Sequence, residues 1–134
     1  MNEIPRDALP AFCDEFSRQH LGWLASVELC DTALLDADPT AAATAGRTLV
    51  HEVVLQGITA ERRDANFEIT IIAGEGSHRL THPVLEPKRV VLEESAEGAH
   101  KGLRIDAADG MTTSVRFRVA AVPEELDGLA KSER

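Results

Sequence analysis

The sequence predicts an α+β fold: one N-terminal helix packed on a curled, mainly antiparallel sheet of about six strands, open and barrel-like. Three observations carry this. Leu9, Phe12, Cys13 and Phe16 recur at helical spacing, whereas after Gly22 the residues Trp23, Ala25, Val27 and Leu29 recur at every second position. Nearly everything downstream keeps the period of two, and the links between apolar runs are of hairpin length with no room for crossover helices. One helix cannot cover the apolar face of a flat six-stranded sheet, so the sheet is expected to curl.

The elements follow in order. Asp7 is expected to cap a helix from about Ala8 to His20, with Pro10 in the first turn, where its missing N–H removes no helical bond. Gly22 is placed to end that helix in a left-handed conformation. A strand is expected from about Trp23 to Cys30. Residues 31–48 break the rhythm with Asp31, Asp36, Asp38, Pro39 and an alanine-threonine run, and read as a long mobile loop. Leu49 to Ala60 forms the next strand, with Leu49, His51, Val53 and Leu55 on one face. Gly57 then shifts the apolar positions to Ile58 and Ala60, as a bulge does.

Arg63 to Asn66 reads as a hairpin turn into a strand where Phe67, Ile69 and Ile71 alternate with Glu68 and Thr70. Gly74-Glu75-Gly76 closes it. Leu80 to Val84 is a short extended piece that Pro83 and Pro87 confine to a sheet edge, because proline has no ladder donor. Val90–Glu93, Leu103–Ala107 and Met111–Ala120 supply the remaining strands, the last two joined at Ala108-Asp109-Gly110. In the last strand Met111, Thr113, Val115, Phe117 and Val119 are expected to face inward, and Ser114, Arg116 and Arg118 outward. The tail 124–134 is expected to fray. The whole, residues 1–134, reads as a single domain, with its sheet spanning about 23–120.

Composition limits function. The 134 residues are 43% apolar and 28% charged, ordinary for a folded protein, and the formal net charge is -9. That charge opposes binding to nucleic acid and to anionic membranes, because such binding draws on Lys and Arg displacing counterions. The first twenty residues carry Glu3, Asp7, Asp14 and Glu15 and lack the apolar run of a signal peptide, so the expected compartment is the cytoplasm. Cys13 and Cys30 read as small core residues rather than as a disulfide framework. Aromatics make up 4% of the chain, which also counts against stacking recognition of single strands or sugars.

Few residues point to chemistry. His51 alternates with Leu49 and Val53, so it is either a hydrogen-bonded core histidine or the lining of a pocket inside the curled sheet, beside Trp23. Trp23 itself is expected chiefly to anchor packing at the helix-to-strand joint. His78 and His82, with Glu75 nearby, are the one compact set that invites a metal and a hydrolytic role. In an extended strand their spacing is roughly 13 Å, so only a tight turn at Arg79-Leu80 would let both reach one ion. His20 reads as structural and His100 as exposed. The pairs Glu93-Glu94 and Glu124-Glu125 read as solvated charge. No nucleophile elbow, phosphate loop or dinucleotide pattern occurs, and no cofactor is implied.

Phe12, Phe16-Ser17-Arg18-Gln19-His20 and Gly22-Trp23-Leu24 resemble a family of small bacterial proteins known only as a domain of unknown function, the one numbered 5335. Gln56-Gly57-Ile58, Leu80-Thr81-His82 and Asp109-Gly110-Met111-Thr112-Thr113 with Arg116-Phe117-Arg118 are similar to it as well. The resemblance covers Ile4 to Gly128, and residues 31–48 depart from it. It implies a bacterial cytosolic protein and carries over no catalytic residue. The expectation is therefore a non-catalytic interaction or binding module. It pairs with itself or a protein partner through the edge at Leu80, Thr81, His82 and Val84. The alternatives are the interior pocket at His51 and the metal-dependent hydrolase.

Overall fold

The computed structural model describes residues 2–38, 46–96 and 98–121. The elements are β1 (Asn2–Glu3), α1 (Leu9–His20), β2 (Leu24–Asp31), α2 (Thr32–Ala37), β3 (Arg47–Arg63), β4 (Asn66–Ala73), β5 (Leu80–Leu85), β6 (Pro87–Glu94), β7 (His100–Ala107) and β8 (Met111–Ala121). They form one sheet in the order β1-β6-β7-β8-β2-β3-β4-β5. Every pairing is antiparallel. The sheet curls without closing, as the period-two pattern and the single N-terminal helix predict.

Alternation decides which face is the core. Ala25 and Val27 of β2, Ile69 and Ile71 of β4, Leu103 and Ile105 of β7 and Val115 of β8 are fully buried on the inner face, under Leu9, Cys13 and Phe16 of α1. The helix is pinned as well as packed. Ser17 Oγ accepts from the Ile58 N–H at 2.7 Å and donates to the Ile58 carbonyl at 2.8 Å. These two bonds fall beside the register shift between Leu55 and Gly57, the bulge expected at Gly57. Gly22 adopts φ 87 and ends α1 as expected, with its N–H on the Leu55 carbonyl.

The N-terminal arm bridges the two ends of the open sheet. Asn2 and Glu3 pair with Leu92 and Val91 of β6, and the Ile4 N–H donates to the Val90 carbonyl at 2.7 Å. Four residues further on, Arg6 Nη2 reaches Asn66 Oδ1 at 3.3 Å and the Ala65 carbonyl at 3.4 Å in the β3–β4 turn. At the other seam a single residue, Glu86 at φ 49, turns β5 into β6.

Several expectations are corrected. Asp7 is not the cap of α1: Arg6–Ala8 form a 3-10 turn, and Ala8 precedes the helix without a side-chain cap bond. Residues 31–48 are not a continuous loop, because β2 runs to Asp31 and α2 follows, its first turn capped by Asp31 accepting from the Ala33 N–H at 2.9 Å. Residues 39–45, the Val119 side chain and the tail 124–134 lie outside the described residues. The strand at 49–60 also carries a second bulge at Glu52, φ 47, that the apolar alternation does not reveal.

A polar groove on the outer face

The outer face of β2 carries Ser26, Glu28 and Cys30, because each is one residue out of phase with Ala25 and Val27. Cys30 is closed off by Leu35 of α2, a small apolar cluster separate from the main core. Ser26 and Glu28 are not covered by α2. They form the floor of a groove of about 700 Å³ that Leu35 bounds on one side and the Glu52 bulge on the other. Arg116 and Arg118 reach it from β8, Lys101 and Arg104 from β7, and Glu93 from β6.

Most of these charges are already paired. Arg116 Nη2 holds Glu28 Oε2 at 2.6 Å, Arg118 Nε lies 3.3 Å from Glu52 Oε1, and Arg104 contacts Asp106 at 2.9 Å and Asp36 of α2 at 2.8 Å. Partial burial alone would lower the Arg104 pKa, but the hydrogen bonds and charges of Asp106 and Asp36 together outweigh it and raise it. Thr112 Oγ1 donates to Asp106 Oδ1 at 2.7 Å, so the side of the groove nearest α2 is a fixed polar network. Glu28 differs from the rest. Its side chain is 8% exposed, one oxygen is on Arg116, and Oε1 is buried without a hydrogen-bond partner. A buried acceptor left unsatisfied costs on the order of 1–3 kcal/mol, more when charged, unless a bound group supplies the donor.

His51 belongs to this groove and not to the interior. The Glu52 bulge rotates it out of the Leu49–Val53 alternation, and its side chain is 73% exposed. Its Nε2 meets Glu52 Oε2 at 2.9 Å and its Nδ1 lies 3.4 Å from Ser26 Oγ, which also accepts the Glu52 N–H at 2.9 Å. Trp23 is on the opposite side of the sheet, 5% exposed, edge-on to His20 at 4.4 Å and to Phe117 at 4.8 Å. The two residues therefore do not line a common pocket.

The remaining candidates separate in the same way. His78 is exposed in a 3-10 turn and Glu75 precedes it, whereas His82 points inward and hydrogen-bonds Thr113 Oγ1 at 3.1 Å. Burial, then the charge of Arg47, lower the His82 pKa. Among the described residues no group of three or more His, Cys, Asp or Glu is placed to hold a metal. β5 is the end strand of the sheet, as Pro83 requires, whereas Pro87 lies outside it and opens β6, which is paired on both sides. Of its expected contact residues, His82 and Val84 turn inward, Leu80 is half-buried and Thr81 is exposed, while the outermost apolar side chain is Leu85, 62% exposed.

Two acidic positions and one basic position differ from the sequence expectation. Glu93 and Glu94 are half-buried, not solvated. His100, expected exposed, has a 15% exposed side chain against His20 and sits 4.0 Å from Glu94. The groove residues Glu28, Arg116 and Arg118 had a weak signal: polar side chains at alternate positions of two strands. What was missing was that β2 and β8, far apart in the chain, are neighbours.

Fold and site define a curled antiparallel-sheet protein with one helix on its inner face and a charged groove on its outer face. The chain belongs to a family of unknown function, DUF5335, whose model matches residues 1–127. No curated protein and no solved structure matches it. No helix among the described residues is long and apolar enough to cross a membrane.

Proposed function

We propose that this protein is a non-catalytic binding module, acting in the bacterial cytoplasm, that seats a small polar ligand in the groove between α2 and the β3 bulge. The observation that carries it is Glu28, a lining residue of the groove whose Oε1 is buried without a hydrogen-bond partner. The surrounding pairs, Arg116 with Glu28 and Arg118 with Glu52, hold donors and acceptors in fixed positions, which is what selective binding of a polar molecule requires.

The test is a thermal-shift screen of polar metabolites against the protein and its Glu28→Gln variant. A ligand at a hundred times its Kd stabilises the native state by about 2.7 kcal/mol, which is readily visible as a raised midpoint. The reading holds if at least one compound raises the midpoint of the native protein and fails to do so for Glu28→Gln. It falls if nothing in the screen binds, or if both proteins respond alike.

A second reading is self-association through the β5 edge, supported by the end position of that strand and the exposed Leu85. It predicts a dimer by sedimentation that Leu85→Asp converts to monomer. A monomer at all concentrations removes it.

A further inference from the structure

We infer that the ligand class of this groove is a small amino-carboxylate, a molecule carrying both an amine donor and an anionic group. This rests on the groove being a binding site, as proposed above. The open valences of its walls are of two kinds. Glu28 Oε1 is a buried acceptor and needs an N–H or O–H. Glu93, half-buried on β6, adds a second carboxylate to the same groove. An amine is favoured over a hydroxyl at Glu28 because a charge-assisted hydrogen bond to a carboxylate is the stronger one.

The donors are equally underused. Arg116 spends Nη2 on Glu28, and Arg118 spends Nε on Glu52, which leaves the rest of each guanidinium fork open to the groove; the two side chains are 52% and 56% exposed. Lys101, on the neighbouring strand, is exposed on the same wall. An anion alone would meet these three cations but leave Glu28 Oε1 unsatisfied and bring negative charge toward Glu28 and Glu93. A cation alone would satisfy the carboxylates but face three positive side chains. A zwitterion answers both requirements at once. Leu35 and Phe117, the two apolar side chains that border the groove, are 7% and 9% exposed, so the side chains that line it most openly are the charged ones.

Nitrogen-detected NMR of arginine side chains, with calorimetry, distinguishes these cases in the intact protein. Three probe sets are titrated: free amino acids and dipeptides, the amines methylamine and putrescine, and the anions acetate and inorganic phosphate. The expected result is saturable binding by a member of the first set, with Arg116 and Arg118 Nε resonances shifting. Glu28→Gln should weaken it by about tenfold or more, as loss of a charged hydrogen bond does. Arg118→Gln should weaken it comparably, while putrescine and phosphate bind at least tenfold less tightly than the amino-carboxylate. Binding of amines or anions alone at equal affinity would overturn the ligand class and leave the groove a binding site. Absence of binding by all three sets, with the native fold retained, would overturn both.

Discussion

His20 Nε2 lies 2.9 Å from His100 Nδ1, and the pair has a single consistent proton arrangement. His20 Nδ1 is 2.7 Å from the Phe16 carbonyl, which only accepts, so Nδ1 carries the hydrogen and Nε2 is the acceptor. His100 Nδ1 must then be the donor. The imidazole of His20 is fully buried, stacked on Phe117 at 4.7 Å and edge-on to Trp23, so α1 is joined to β7 by a neutral histidine inside an aromatic cluster.

Acid should therefore weaken the fold through His20. Burial first, and the proximity of His100 to a lesser degree, push its pKa from 6.5 to about 4, against the contrary effect of the Phe16 carbonyl. Unfolded, the ring protonates near 6.5; folded, it resists until about 4. The contribution is thus intact above pH 6.5 and is lost as pH falls through that window, on the order of 3 kcal/mol in all. Urea denaturation at pH 7 and pH 4.5 should show a larger acid loss for the native protein than for His20→Phe. Parallel losses would disprove the role of His20.

Ser17 ties α1 to the strand at its bulge through both backbone groups of Ile58. Ser17→Ala should cost about 2 kcal/mol, because it strands a buried N–H and a carbonyl together. Equilibrium unfolding in urea measures it, and a change below about 0.5 kcal/mol would show that water replaces the hydroxyl freely.

Gly102 passes the neighbouring strand so closely that a Cβ there would stand 2.0 Å from the Val115 carbonyl oxygen. Both parties are backbone, so relief requires β7 and β8 to separate. Gly102→Ala should destabilise by about 3 kcal/mol. A thermal midpoint within a degree or two of the native value would contradict this spacing.

Cys13 should be chemically inert in the folded protein. Burial chiefly, with Asp14 adding to it, raises its thiol pKa from 9.0 to about 12, so almost no thiolate exists at pH 8. Iodoacetamide at pH 8 should leave it unmodified without denaturant and label it fully in urea. Rapid labelling of native Cys13 would refute its placement.

Asp31→Ala should loosen α2 by about 1 kcal/mol through loss of its cap. Because Leu35 covers Cys30, alkylation of Cys30 should accelerate in this variant while Cys13 stays protected. An unchanged Cys30 rate would mean that Thr32, whose hydroxyl meets Thr112 Oγ1 at 2.7 Å, holds the helix unaided.

The parts of the fold written in local pattern were legible. The change from helical to alternating period at Gly22, the bulge at Gly57, the turn at Arg63 to Asn66 and the edge position of Leu80 to Val84 all follow from neighbours a few residues apart. The site was much less so. His51 was visible as an unusual residue, but its face depends on Glu52 adopting positive φ, which a glutamate does not advertise. Glu28 looked like any outward strand residue until Ser114 and Arg116 were placed beside it by the pairing of β2 with β8. His100 looked exposed for the same reason: its partner His20 is eighty residues away in the chain.

The arm at Asn2–Ile4 has a bearing on how the chain acquires its shape. Asn2 to Ile4 leave a ribosome well before the residues they pair with on β6, because their partners, Val90 to Leu92, emerge some ninety residues later. Until then the arm has no edge to join, and the sheet has no bridge from β6 to the β3–β4 turn. Contacts of such long sequence separation form late and slow the search, because much of the chain must be ordered before they repay its entropy. The arm is thus made long before it can be fastened.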